Sequence, residues 1–91
     1  MAEPVMAEST APIEHAVINL LKDVSRRPIE PASDSDIVAD LGFDSLQVLE
    51  LIAGLEDHFG IQIPLEDVPA TRTVAELVAQ VVALVKRQAP V

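Results

Sequence analysis

The sequence predicts an all-α fold with three longer helices and one short helix. Apolar residues recur at helical spacing in three separate segments, a pattern that is typical of helices burying one face. Residues suited to helix capping precede each segment, and the chain is aliphatic, with 49% hydrophobic but only 2% aromatic residues. A chain of 91 residues buries about 60% of its unfolded surface, which is enough for one modest core but not for two domains.

The first predicted helix follows a short N-terminal segment. Residues 1–10 contain proline and show no apolar period, and we interpret them as a flexible extension before a domain at residues 11–88. Thr10 is suited to cap the helix, Pro12 suits its first turn, and Pro28 stops it. The predicted apolar stripe consists of Ile13, Val17, Leu20, Leu21 and Val24.

A long connection at residues 28–43 leads to the second predicted helix. Asp44 and Gln47 have the spacing of a capping box at the start of this helix, and Gly60 is suited to end it. The apolar anchors expected in the connection are Ile37, Val38, Leu41 and Phe43. The apolar positions expected in the helix are Leu46, Leu49, Ile52, Ala53, Leu55 and Phe59.

The last part of the chain predicts a short turn of helix at residues 65–68 and then a third longer helix. Thr73 and Glu76 match a capping box, and the helix ends near Lys86 and Arg87, whose charges complement its dipole. Its predicted apolar face consists of Val74, Leu77, Val78, Val81, Val82 and Val85.

Acidic charge is concentrated in the middle of the chain. With 15 acidic and 6 basic residues the net charge is −9, which argues against nucleic-acid binding, because that binding needs basic residues to neutralise phosphates. Between Pro28 and Thr71 there is no Lys or Arg, which favours a docking surface for basic partners over a merely solvated face. The acids in this stretch are Glu30, Asp34, Asp36, Asp40, Asp44, Glu50, Glu56, Asp57, Glu66 and Asp67.

Three motifs along the chain together resemble the acyl carrier proteins. They are Asp-Leu-Gly-Phe-Asp-Ser-Leu at residues 40–46, Glu-Asp-His-Phe-Gly-Ile-Gln-Ile-Pro at residues 56–64, and Thr-Val-Ala-Glu-Leu at residues 73–77. The resemblance runs from about Ile13 to Val85, nearly the whole domain. It implies a four-helix bundle that is a carrier and not an enzyme, with no catalytic residues and no metal of its own.

The resemblance also implies that Ser45, flanked by Asp44 and Leu46, is the attachment point for 4'-phosphopantetheine, transferred from coenzyme A by a phosphopantetheinyl transferase. The thiol of this group carries acyl chains as thioesters. The residues agree, because a helix N-terminus favours a phosphodiester and the chain has no cysteine to compete for the acyl group. Further expected partners are acyl-transferring and chain-elongating enzymes with basic patches, docking on Asp40, Asp44, Glu50, Glu56 and Asp57.

An aliphatic core of this kind is suited to admit an acyl chain between its helices. Each buried methylene would contribute up to about 0.8 kcal/mol. The alternative, a core that simply packs, is equally compatible with the composition. The candidate lining residues are Leu46, Leu49, Ile52, Phe59, Ile61 and Val74.

Other functions were weighed against this one. A peptidyl or aminoacyl carrier usually shows Gly-Gly before the modified serine, where this chain has Gly42-Phe43, and an unmodified acidic helical adaptor would need no prosthetic group. A calcium loop starting at Asp34 fails, because its sixth and twelfth positions are Ala39 and Ser45. No secretory signal and no apolar run long enough to span a bilayer is present, so we expect a cytoplasmic monomer.

Three positions depart from the pattern of the general fatty-acid carriers. Gln47 stands where many housekeeping members carry an acid, Gly54 interrupts the middle of the helix, and His58 interrupts the acidic run at its end. These departures leave open a specialised carrier that serves a single modified-lipid or secondary-metabolite pathway.

Overall fold

The computed structural model describes residues 5–64, 66 and 71–88, with residues 5–10 described by their backbone alone. Three helices make up the described part: α1 at Val5–Val24, α2 at Ser45–Phe59 and α3 at Val74–Gln88. Helix α1 packs against both α2 and α3. The all-α prediction is confirmed, and the short helix predicted at residues 65–68 lies outside the described residues except for Glu66.

Helix α1 begins earlier than the sequence predicts. It starts at Val5, so the predicted cap at Thr10 is wrong, and Pro12 lies inside the helix and not in its first turn. The helix thereby includes residues 5–10, which the sequence analysis assigned to the N-terminal extension. Met6, Ala7 and Glu8 are good helix formers, and proline already has a helical φ and removes only one backbone donor.

The core is aliphatic, as the composition predicts. The predicted stripes of α1 and α3 face it, with Val17 and Leu21 in α1 and Val81 in α3 fully buried and Val74 in α3 nearly so. The buried core residues are Val17, Leu21, Ile37, Leu41, Phe43, Leu51, Ile52, Leu55, Ile61, Ile63, Val74, Leu77, Val78, Val81 and Leu84.

The predicted apolar face of α2 is partly wrong. Leu46 and Leu49 are 56% and 51% exposed, whereas Leu51 and Leu55 are buried. At 100° per residue Leu46 and Leu49 lie on one side of the helix and Leu51 and Leu55 on the opposite side. Helix α2 is therefore apolar on two sides, and periodicity alone did not show which side faces the core.

The connection between α1 and α2 is fastened to the start of α3. Ile37 N donates to Arg72 O at 2.9 Å, Val74 N donates to Ser35 O at 3.0 Å, and Asp36 pairs with Thr73 in an isolated antiparallel bridge. Of the four predicted apolar anchors, Ile37, Leu41 and Phe43 are buried, but Val38 is 59% exposed. The connection is therefore held by hydrogen bonds and buried side chains beside α2 and α3.

Candidate functional site

Ser45 is the first residue of α2 and is exposed. The preceding Asp44 has an extended backbone and caps the helix, because its Oδ1 accepts a hydrogen bond from Gln47 N at 2.8 Å. Gln47 Oε1 in turn accepts one from Asp44 N at 3.1 Å, which completes the predicted capping box. The serine hydroxyl is thus presented to solvent at a helix end that is held by two reciprocal hydrogen bonds.

Two residues just before the cap fix the direction in which the chain enters α2. Phe43 is only 2% exposed, so its ring anchors the junction in the core while the next two residues face outward. Gly42 has a φ of 76°, in the left-handed region, and a Cβ there would lie 2.6 Å from Nη2 of Arg27. Only glycine fits this turn without strain or displacement of the arginine.

The end of α1 also contacts this junction. Gln47 is 5% exposed, and its Nε2 donates to the carbonyl oxygen of Val24 at 3.3 Å. Arg26 places Nη1 3.8 Å from Oδ2 of Asp44, in an ion pair between two largely exposed side chains. The sequence predicts Gln47 as the partner of Asp44 in the cap but carries no local signal for its bond to α1.

A shallow apolar groove of about 470 Å³ lies directly beside Ser45. Its lining residues are Val38, Phe43, Asp44, Ser45, Val48 and Leu49. A second cavity, of about 350 Å³, lies between the connection, α2 and the start of α3. Val38 and Val48 line both, so the groove beside the serine and the interior cavity are neighbours.

The six predicted acyl-pocket residues do not form one cluster. Ile52 lines the interior cavity and Leu49 lines the groove beside Ser45. Leu46 is exposed, Phe59 is half-buried against the core, and Ile61 and Val74 are buried within it. The further apolar side chains that line the interior cavity are Ile37, Val38, Ala39, Val48, Leu51, Ile63 and Leu77.

The five predicted docking acids separate into two groups. Three of them have structural partners: Asp40 Oδ2 accepts from Asp36 N at 2.7 Å, Glu56 Oε2 accepts from Ile63 N at 2.8 Å, and Asp44 caps α2. Glu50 and Asp57 are exposed, and in the described part of the chain neither carboxylate has a hydrogen bond or ion pair.

Glu50 and Asp57 share one side of α2. They are seven residues apart, which is close to two turns and about 10 Å along the axis. Leu46, Leu49 and Ala53 are exposed on the same side. The outer face of α2, defined by these five residues, therefore combines apolar and acidic side chains.

Asp36 stands at the edge of the interior cavity beside Arg72. Its Oδ1 accepts hydrogen bonds from Ala39 N and Val38 N, and these bonds, with the Arg72 guanidinium 3.6 Å from its Oδ2, hold the pKa of this carboxyl below its ordinary value. Among the described residues no cluster of His, Cys, Asp and Glu could hold a metal ion. No described helix is long and apolar enough to cross a membrane.

Comparison with known proteins agrees with this geometry. Residues 15–81 match the family described as the phosphopantetheine attachment site, a range that includes Ser45. The meromycolate extension acyl carrier protein of Mycolicibacterium aurum is 34% identical over 77 residues, which is 84% of this chain and 79% of that protein. The acyl carrier protein of Rickettsia bellii is 37% identical over 67 residues, covering 72% of this chain and 78% of that one.

A solved structure of a candidate acyl carrier protein of Mycobacterium tuberculosis superposes with a TM-score of 0.74. It is 32% identical in sequence, and the match covers 78% of this chain and 96% of that chain. The protein is thus a phosphopantetheine-bearing carrier domain by both its fold and its sequence. Within that class it belongs to the acyl carrier protein family, which consists of carriers and not enzymes and whose prosthetic group is 4'-phosphopantetheine.

Proposed function

We propose that Ser45 is the residue that bears 4'-phosphopantetheine, and that the protein shuttles acyl groups between enzymes of fatty-acid, modified-lipid or polyketide biosynthesis. The observation that carries this proposal is the exposed Ser45 hydroxyl at the start of α2, next to an apolar groove and inside the family match. When attached, the group supplies the terminal thiol to which acyl chains are linked.

The residues around Ser45 fit that group. The N-terminus of α2 presents backbone N–H groups and the positive end of the helix dipole to a phosphodiester. Val38, Val48 and Leu49 offer apolar surface to the aliphatic part of the arm. Exposure of the hydroxyl gives the transferase access, while Phe43 and Asp44 hold the junction in place.

Mass spectrometry after incubation with coenzyme A and a phosphopantetheinyl transferase tests the assignment. Wild-type protein should gain one phosphopantetheine and Ser45→Ala none. Ser33→Ala is the matched control, because Ser33 is an exposed serine whose backbone oxygen, which the substitution keeps, accepts a hydrogen bond from Ala75 N at 2.9 Å. It should be modified like wild type. Unmodified wild-type protein with several active transferases would instead favour an unmodified acidic adaptor.

The interior cavity is the proposed place for the acyl chain. It is aliphatic, it adjoins the groove beside Ser45, and each methylene buried there would contribute up to about 0.8 kcal/mol. Its entrance is proposed at Val48, which lines both spaces. This assignment replaces the predicted set of six residues by the lining residues of the cavity, with Ile52 common to both.

Comparison of acylated with unacylated protein tests the acyl site. Attachment of a saturated chain should raise the melting temperature of wild-type protein, because the chain is buried. In Val48→Phe the enlarged side chain should abolish this rise, whereas Ala53→Phe, on the exposed outer face of α2, should keep it. A rise of the same size in Val48→Phe would place the acyl chain elsewhere.

The outer face of α2 is the proposed docking surface for enzymes with basic patches. Glu50 and Asp57 supply its charge, because the other three predicted acids are engaged within the fold. Each exposed ion pair contributes only about 0.2–1 kcal/mol, so docking should be weak and salt-sensitive, as a carrier that must leave each enzyme requires.

Charge reversal tests that surface. Glu50→Lys should slow transfer from coenzyme A at low salt and approach the wild-type rate at high salt, with the melting temperature nearly unchanged. Asp34→Lys makes the same charge change at an exposed position beside the start of α3 and should leave transfer unaffected. Equal rates for both variants with every partner tested would argue against the docking surface.

A further inference from the structure

We propose that Gln47 is a positioning residue for the modification of Ser45, acting through a hydrogen bond that ties the start of α2 to the end of α1. This inference rests on the proposed function of Ser45. It concerns a buried side chain two residues beyond the serine, whose side-chain hydrogen bonds join it to Asp44 N and Val24 O.

Both the oxygen and the nitrogen of the Gln47 side-chain amide form hydrogen bonds. Its Oε1 accepts from Asp44 N at 3.1 Å, while its Nε2 donates to Val24 O at 3.3 Å. It is the one polar residue among the buried residues of the described part of the chain. A buried polar side chain is costly unless its hydrogen bonds are made, so its conformation is tightly determined by these two bonds.

The two bonds have different consequences. The bond to Asp44 belongs to the capping box and stabilises α2 by itself, as any capping box does. The bond to Val24 joins two helices that are separated by 20 residues of irregular chain, residues 25–44. It also occupies a carbonyl oxygen at the end of α1, where intrahelical partners are missing. Through it, the Asp44–Ser45 junction is held at a set distance from the body of α1.

In this chain the amide of Gln47 supplies both the acceptor and the donor that its two hydrogen bonds need. A carboxylate could accept from Asp44 N, but it has no proton to donate to Val24 O. Protonation would restore a donor. The introduced acid in Gln47→Glu should therefore lose the hydrogen bond to Val24 O, the tie to α1, only when it is ionised. The capping box would be kept in both forms, which separates the tie from the cap.

Charged groups around this position determine where the introduced acid titrates. Burial and the neighbouring Asp44 carboxylate would raise its pKa above the ordinary value of about 4.3. Arg26 and Arg27, which line the same polar cleft at the end of α1, would oppose that shift. Titration of the introduced carboxyl is therefore measured directly, by its ¹³C chemical shift, between pH 4 and pH 8.

The decisive experiment measures kcat/KM for transfer from coenzyme A to Gln47→Glu, as a ratio to wild type at each pH. We expect the ratio to fall about tenfold as the introduced acid ionises, a change equivalent to about 1.4 kcal/mol. Amide exchange in the first turn of α2, taken as a ratio to wild type at each pH, should accelerate over the same pH range, while the melting temperature stays well above the assay temperature.

Gln88→Glu is the matched control. Gln88 makes the same pair of bonds, from its Nε2 to Gln62 O at 3.2 Å and from Gln62 N to its Oε1 at 3.0 Å, but at the end of α3. Gln88→Glu adds the same charge and loses the same kind of donor as Gln47→Glu. The change lies beyond the C-terminal end of α2, and Ser45 is at the other end of this helix, which is about 20 Å long. Its ratio to wild type should not depend on pH.

A second variant keeps the inference testable if Gln47→Glu does not fold. Gln47→Met retains the length of the side chain without charge or donor, and it should transfer several-fold more slowly than wild type at every pH. A wild-type rate for Gln47→Met, a Gln47→Glu ratio that does not follow ionisation, or the same pH profile in Gln88→Glu would each overturn the positioning role. Failure of wild-type protein to be modified would instead overturn the assignment of Ser45.

Discussion

Helices α2 and α3 both start with a capping box, and the two boxes have different roles. At α2 the residue three positions after the cap is the neutral, buried Gln47, which also reaches α1. At α3 it is the exposed Glu76, which accepts from Arg72 N at 2.7 Å and Thr73 N at 3.0 Å while Thr73 Oγ1 accepts from Glu76 N. The first box presents a serine to solvent, whereas the second starts a helix whose first residue, Val74, is buried.

This difference teaches that a cap is a local device whose role depends on its surroundings. Both boxes satisfy helix N–H groups, which is the local requirement. Only the first adjoins an apolar groove and an exposed hydroxyl, and only the second is fastened to the connection through Asp36 and Arg72. We expect changes at the α2 box to affect both stability and modification, and changes at the α3 box to affect stability alone.

The largest expected loss of stability comes from Asp44→Ala. The variant loses the cap of α2 and the ion pair to Arg26, so its free energy of unfolding should fall by about 1 kcal/mol. Transfer from coenzyme A should also slow severalfold, because Ser45 follows the lost cap directly. Urea denaturation gives the first quantity and timed mass spectrometry the second; an unchanged transfer rate would contradict the role assigned to this box.

Thr73→Ala should have a similar effect on stability but none on transfer. The variant loses the hydrogen bond from Glu76 N to the threonine hydroxyl, which is expected to cost about 1 kcal/mol of unfolding free energy. The same two measurements apply, at a temperature where the variant is folded. If Thr73→Ala slowed transfer as much as Asp44→Ala does, the two boxes would not be functionally distinct.

A smaller effect is expected on the stability of the protein at low pH. The backbone N–H groups of Arg72 and Thr73 lower the pKa of Glu76 below its ordinary value of 4.5, and that of Asp36 is likewise lowered from 3.8. A carboxyl with a lowered pKa in the folded state contributes stability that is complete above its unfolded pKa and is lost as the pH falls through the folded one.

We therefore expect wild-type stability to decrease as the pH falls below about 4.5, and Glu76→Gln to show a shallower decrease, because the amide oxygen accepts the same bonds without titrating. Melting temperatures between pH 3 and pH 7 measure this slope. Equal slopes in the two proteins would show that the acid sensitivity lies outside the α3 box.

Arg26→Ala should have the smallest effect. Its ion pair to Asp44 joins side chains that are 65% and 55% exposed, so its loss should cost at most about 0.5 kcal/mol of unfolding free energy. Because Gln47 keeps the junction tied to α1, transfer should stay within twofold of wild type. A larger loss of transfer than in Gln47→Met would assign the positioning role to the arginine.

Much of this protein was predicted correctly from single residues and their neighbours along the chain. Both capping boxes and the C-terminal glycine of α2, Gly60 with a φ of 66°, are confirmed. The apolar stripes of α1 and α3 are confirmed as well. These features depend on interactions within about four residues, and α1 and α3 each have a single apolar side, so that the local pattern was sufficient.

The predictions that failed concern the start of α1 and the sides of α2. Pro12 was expected near a helix start, but proline is tolerated inside α1, where the preceding residues favour helix. Leu46 and Leu49 were expected to face inward, but they are exposed. The error at α1 concerns local helix preference, whereas the error at α2 arises where contacts distant in sequence decide between two locally acceptable sides of the helix.

The sequence by itself determined the helical class, the helix caps, the acidic character and the family motif around Ser45, because each depends on residues that are close together in the chain. Only the tertiary structure decided which side of α2 is exposed, which acids accept hydrogen bonds within the fold, and that the groove beside Ser45 adjoins a cavity in the bundle. It also decided that Gln47 reaches the end of α1. These depend on packing between helices, whose geometry no local pattern specifies.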